Sequence, residues 1–204
     1  MTQVRLAAIV EGHGEVAAVP ILIRRIAERL DPPVFVDVDP ILRVPASSLR
    51  KGGELERQVE RAARKMQEKG GILILIDCDW DGGCPAEEGP ALVSRARSAR
   101  SDIPISVVLA KKEYEAWFIA AAESLRGERG LAQDLSCDRA PEDIRGAKEW
   151  LSDHMPTGRP YSATIDQPAL TAVFDLDLAR RADSFDKCYR EVTVLLRNIQ
   201  RVVG

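Results

Sequence analysis

The five residues Ile72-Leu73-Ile74-Leu75-Ile76 form the most apolar run in the chain and contain no polar alternation. They are too few for a membrane span and too uniformly apolar for a strand with one wet face. A strand of this kind needs cover on both sides, which places it centrally in a parallel sheet. The segments around it fit that layout. Residues 4–10 read as a second buried strand, ended by Gly12 and Gly14. Residues 15–30 carry Val19, Leu22, Ile23, Ile26 and Leu30 at helical spacing, and Asp31-Pro32-Pro33 stops them. Residues 34–44 alternate as a β-branched strand with Pro40 as a candidate break. A charged amphipathic helix over 54–69 follows, closed by Gly70-Gly71. A helix over 90–101, a strand over 103–110 and a helix over 113–125 complete the alternation. Strands alternating with helices predict an α/β, doubly wound, mainly parallel sheet.

Beyond residue 125 the texture changes to a loop, a helix over 141–154, an irregular stretch over 155–164 and two closing helical segments. We read 1–125 as the α/β core and 126–204 as a helical extension packed on it, not an independent domain. The 204 residues suit one domain with a modest appendage, and 45% hydrophobic with 30% charged residues exclude a disordered chain. A formal charge of -3 argues against a basic coat for non-specific nucleic-acid binding and leaves room for a local basic patch. Cys78, Cys84, Cys137 and Cys188 form no CxxC pair and have no histidine at zinc-finger spacing, so reduced thiols are expected, with a Cys78–Cys84 pairing as the alternative. No apolar stretch is long enough for a signal-peptide core or a membrane span, so a cytoplasmic protein without a membrane partner is expected.

Two constellations carry chemistry. The first is Glu11-Gly12-His13-Gly14-Glu15, at the carboxyl end of the first strand, where ligands bind in open α/β sheets. Residues 12–17 also satisfy the dinucleotide fingerprint G-x-G-x-x-G/A, with Asp37 and Asp39 near the distance expected of a ribose-binding acid. Glu11 and Glu15 oppose that reading, because two carboxylates at the helix start repel a pyrophosphate unless a divalent cation lies between. The second is Asp77-Cys78-Asp79-Trp80-Asp81, directly after the apolar strand. Alternation points Asp77 and Asp79 the same way, and like charges so close call for a shared cation or proton. Alone, D-x-D is as readily a solvated acidic turn. An acid at the end of one parallel strand with D-x-D at the end of another points to a site for Mg²⁺ or Mn²⁺.

This combination resembles the Toprim catalytic domain of topoisomerases, primases and overcoming-lysogenization-defect nucleases, whose fold is Rossmann-like. Val10-Glu11-Gly12-His13-Gly14-Glu15, Ile76-Asp77-Cys78-Asp79 and Lys112-Glu113-Tyr114-Glu115-Ala116-Trp117-Phe118 resemble, more narrowly, a Toprim-type bacterial family known as domain of unknown function 4276. The resemblance implies Glu11 as the general acid/base, Asp77 and Asp79 as a metal-binding pair that shares in catalysis, and Glu11 with Glu15 as an E-x-x-x-E holding a second metal. It implies a Mg²⁺- or Mn²⁺-dependent nuclease or phosphotransfer enzyme acting on nucleic acid. The alternative is a non-catalytic metal-binding partner of an ATPase, since the nuclease branch fuses Toprim to an ATPase domain and this chain has no GxxxxGK[ST]. The branch's lysine has only Lys111 and Lys112 as nearby candidates. Glu113 and Glu115 read either as helix-start acids or as a further ligand at the sheet edge. His13 is a loop histidine or a phosphate contact, His154 a helix-end residue and Asp81 part of a loop. Arg57, Arg61, Arg64 and Lys65 form a basic helix face, either solvated or extended by Arg95, Arg97 and Arg100 into a phosphate track.

Overall fold

The computed structural model describes residues 3–67 and 69–203. Four strands, β1 (Gln3–Val10), β2 (Phe35–Arg43), β3 (Gly71–Cys78) and β4 (Ile105–Lys111), form one sheet in the order β2-β1-β3-β4. All three pairings are parallel. The fold is therefore α/β and Rossmann-like. The apolar run does lie inside the sheet, between β1 and β4, and each side of it is covered. Alternate residues divide between two cores: Leu6, Ala8, Val10, Leu73, Leu75 and Val108 face one side, whereas Ala7, Ile9, Ile72, Ile74, Ile76 and Val107 face the other.

Helices α1 (His13–Glu28) and, after β2, α2 (Ala46–Leu49) and α3 (Glu54–Lys65) are followed by α4 (Pro85–Ala99) between β3 and β4. After β4 come α5 (Ala116–Ala120), three short 3-10 segments, α6 (Ala147–Asp153), α7 (Ala163–Val173), α8 (Leu176–Ala179) and α9 (Asp183–Val203). α3 and α4 cover one face of the sheet. On the other, α1 shares its core with Phe174 and with Phe185, Val192, Leu195 and Ile199 of α9. The helices beyond residue 125 thus close a face of the sheet that α1 alone leaves uncovered.

Several boundaries differ from the sequence reading. The third helix stops at Lys65, and Gln67 takes the left-handed conformation (φ 58°), so Gly70 and Gly71 do not cap it. Gly70 is required for another reason: a Cβ there would stand 2.2 Å from the Arg5 carbonyl oxygen of β1. Strand β2 is not broken at Pro40, since the register slips between Leu6 and Ala8 of β1 and absorbs the extra residue. The helix expected over 113–125 is only α5 with a 3-10 turn at Ala122–Leu125, and that over 141–154 shrinks to α6 behind a 3-10 turn at Pro141–Asp143. All four cysteines are free. No helix among the described residues is long and apolar enough to cross a membrane.

Candidate active site

Crossovers leave β1 toward β2 and β3 toward β4 in opposite directions, so the crevice between the carboxyl ends of β1 and β3 is the topological switch point of the sheet. Glu11 follows β1 directly, Asp77 is the penultimate residue of β3, and Asp79 stands just past it. Glu11, Glu15, Asp77 and Asp79 line one cleft of about 220 Å³, joined by His13, Glu115, Lys148 and Gln167.

Glu15 has a defined local task. Its Oε2 accepts the backbone N–H groups of Glu11 at 2.9 Å and Gly12 at 2.8 Å, the glutamate half of a capping box at the start of α1, whose N-cap Gly12 has no side chain to supply the other half. The seat that a pyrophosphate would need on this helix is taken by the protein's own carboxylate. Gly14 is explained by packing: a Cβ there would fall 2.0 Å from Gln167 Oε1 and 2.4 Å from the Ala163 carbonyl oxygen. The glycine lets α7 press against α1. Of the fingerprint's two candidate acids, Asp37 pairs with Arg5 at 3.6 Å. Gly14→Ala is accordingly expected to destabilise the fold by about 1–3 kcal/mol through overpacking, read as a lower midpoint in urea. An unchanged midpoint would mean that α7 is not seated there.

Glu11 Oε2 is buried without a hydrogen-bond partner. Burial raises the Glu11 pKa above the ordinary carboxylate value; backbone hydrogen bonding at Ala46 works against the rise and the charge of Asp79 adds to it. Asp77 Oδ1 accepts the Tyr114 N–H at 2.9 Å. Its carboxyl is pushed well above the usual range, first by burial and then by the charges of Glu15 and Glu115, while Lys148 pulls the other way. Burial likewise raises Glu15, against the two amides that it accepts. Asp79 is exposed at the mouth of the cleft.

Two members of the site come from beyond β4. Glu115 is fully buried; its Oε1 accepts the Tyr161 hydroxyl at 2.9 Å, and its Oε2 has no hydrogen-bond partner. Lys148, in the first turn of α6, places Nζ 2.5 Å from Glu113 Oε1 and 3.4 Å from Glu115 Oε2. Glu113 Oε2 in turn accepts the Ala147 N–H at 2.7 Å, which fixes α6 against the sheet edge. Burial works against the charge of Lys148, but Glu115, Glu113 and Asp77 outweigh it and hold the ammonium protonated well above its ordinary range.

This arrangement corrects the search for a lysine. Lys111 points to Asp143 at 3.2 Å, and Lys112 lines a neighbouring cleft; Lys148 is the lysine among the carboxylates. No spacing rule reveals it, because a non-local contact brings α6 to the sheet. Of the two open readings for Glu113 and Glu115, the helix start holds for Glu115, the N-cap residue of α5, while Glu113 lies two residues before it. Glu115 joins the cleft and Glu113 braces Lys148. His13 lines the cleft, whereas His154 lies outside it, stacked on Trp150 with ring centroids 4.0 Å apart. The phosphate track across α3 and α4 is neutralised only in part: Arg61, Lys65 and Arg97 enter no ion pair among the described residues, and the other four do. Arg57 pairs with Glu54, Arg64 with Glu60, Arg95 with Glu56, and Arg100 with Asp102 and Glu60. Among the described residues, no three His, Cys, Asp or Glu side chains stand together in a way that could hold a metal ion as they are placed here.

A family model described as domain of unknown function (DUF4276) matches residues 10–192, from the last residue of β1 into α9. The chain belongs to this family. The matched span of this DUF4276 chain includes every residue that lines the cleft, Lys148 and Gln167 among them. No curated protein and no solved structure matches it.

Proposed function

We propose that this DUF4276 chain is a Toprim-like, Mg²⁺- or Mn²⁺-dependent phosphotransfer enzyme, most simply an endonuclease that hydrolyses nucleic-acid phosphodiesters. One observation carries the reading: carboxylates from the ends of two adjacent parallel strands meet in one cleft beside a charged lysine, and Glu11 Oε2 among them is buried with no hydrogen-bond partner. Buried acceptors in that condition are costly unless a cation or proton relieves them. Glu11, Asp77 and Asp79 would hold the cation, with Glu115 behind them. An open set fits Mg²⁺, which keeps several waters and takes one or two carboxylates rather than a closed cage. When bound, the metal supplies charge neutralisation at the phosphate and a water of lowered pKa.

The chain's own residues supply the rest. Glu11, whose pKa burial raises, is the group placed to take and return a proton. Lys148 balances Glu113 and Glu115 and offers its ammonium to an anionic transition state. Glu15 and Tyr114 act by position: one fixes the Glu11–Gly12 backbone, the other orients Asp77 through its amide. Nicking of supercoiled plasmid by purified protein with Mn²⁺, absent in EDTA, is the test of this reading.

A further inference from the structure

We infer that Lys112 and Arg145 form a phosphate-binding subsite beside the carboxylate cleft, which seats the phosphate next to the one attacked and makes an oligonucleotide, rather than a mononucleotide, the substrate. This rests on the phosphodiester reading above. Lys112 and Arg145 line a second, largely polar cleft of about 340 Å³ with Asp79, Trp80, Asp81 and Glu113. The two clefts share Asp79. The wall between them is the Glu113–Lys148 ion pair, with Glu113 facing the second cleft and Lys148 the first. A chain of phosphates passing from one cleft to the other therefore crosses Asp79.

The charges sort in the same way. Neither Lys112 nor Arg145 takes part in an ion pair among the described residues, in contrast to Arg64, Arg95 and Arg100. Of the acids that face them, Glu113 is already balanced by Lys148, and Asp79 belongs to the cation site. Asp81 remains, so two cations meet one uncompensated carboxylate. The backbone holds Lys112 in place at a cost: it takes φ 70°, a left-handed conformation unfavourable for a lysine, while its N–H donates to the Cys78 carbonyl oxygen at 3.3 Å. Gly146, at φ 68°, turns the chain directly after Arg145 into α6. Both cations are thus placed by the turns that also place Glu113 and Lys148.

The test is binding rather than turnover. Anisotropy of a fluorescent oligothymidylate would be followed from about 50 to 200 mM salt, with Ca²⁺ as the divalent ion, for wild type and Lys112→Gln/Arg145→Gln. For single strands each neutralised phosphate contributes about 0.7 to the slope of log K against log salt, so losing this one should flatten the slope by about 0.7. The double variant should unfold at the wild-type temperature, and Lys112→Arg/Arg145→Lys should restore the slope. If wild type binds and nicks but the glutamine variant keeps the full slope, the subsite is wrong and the phosphodiester reading stands. If wild type neither binds the oligonucleotide nor nicks plasmid, both fall.

Discussion

Glu11→Gln is expected to reduce Mn²⁺-dependent nicking by about 10²–10⁴-fold, the usual contribution of a positioned acid or base. Glutamine keeps the length and hydrogen-bonding reach of Glu11 but cannot take a proton. The fold should tolerate the change, because burial already raises the pKa of this carboxyl and a neutral amide removes a charge that repels Asp79. Melting temperature in EDTA should therefore hold or rise while turnover collapses, and that opposition separates catalysis from misfolding. Equal nicking by wild type and variant would place the activity elsewhere or in a contaminant. No nicking by wild type with Mg²⁺ or Mn²⁺, alone or with a co-purified ATPase, would favour the metal-binding regulatory partner instead.

Lys148→Met is expected to destabilise the protein as well as slow it. The substitution keeps the stem but strands Glu115, which is fully buried, and leaves Glu113 without its cation. Breaking a buried pair costs about 3–5 kcal/mol, but the Lys148 side chain is 40% exposed and solvent screens it, so about 1–3 kcal/mol is expected here. The loss should depend on pH in a defined direction. Burial raises Glu115 and Asp77 in the folded state, and Lys148 is the charge that holds both down. Groups with raised folded pKa values support the fold fully below their unfolded values, and that support fades as pH rises through the folded ones. Without Lys148 both carboxyls rise further. The stability gap between wild type and variant, measured in urea, should therefore be wider near pH 7.5 than near pH 5. A gap that did not widen would mean that Lys148 does not compensate these carboxylates.

Much of the fold and half of the site are legible in the sequence because they are local. The uninterrupted apolar run of β3 demands two covered faces, and Glu11 and Asp77–Asp79 sit where two such strands end, so their placement follows from parallel topology alone. The residues that complete the site obey no local rule. Lys148 reaches the cleft because Glu113 caps α6, and Glu115 is held by Tyr161 from beyond α6; both contacts link segments far apart in the chain. The glycines mislead for a related reason: Gly12-x-Gly14 has the spacing of a dinucleotide turn, while the demand for Gly14 comes from α7. Arg95 and Arg100 look unpaired in sequence because their partners Glu56 and Glu60 lie far back in the chain, on α3.

The central claim, that the crowded carboxylates of this cleft hold a divalent cation, is tested most directly by calorimetric titration of Mn²⁺ into metal-free wild type and Asp77→Asn. The Asp77 carboxyl is pushed well above the usual range by burial and by the charges of Glu15 and Glu115. Wild type should bind Mn²⁺ with heat and gain melting temperature with the logarithm of free Mn²⁺ once that exceeds Kd. Asp77→Asn, relieved of one repelling charge, should melt at or above the metal-free wild type, show no binding heat and gain nothing from Mn²⁺. Binding of equal strength in the two proteins, or none in either, would contradict the metal site.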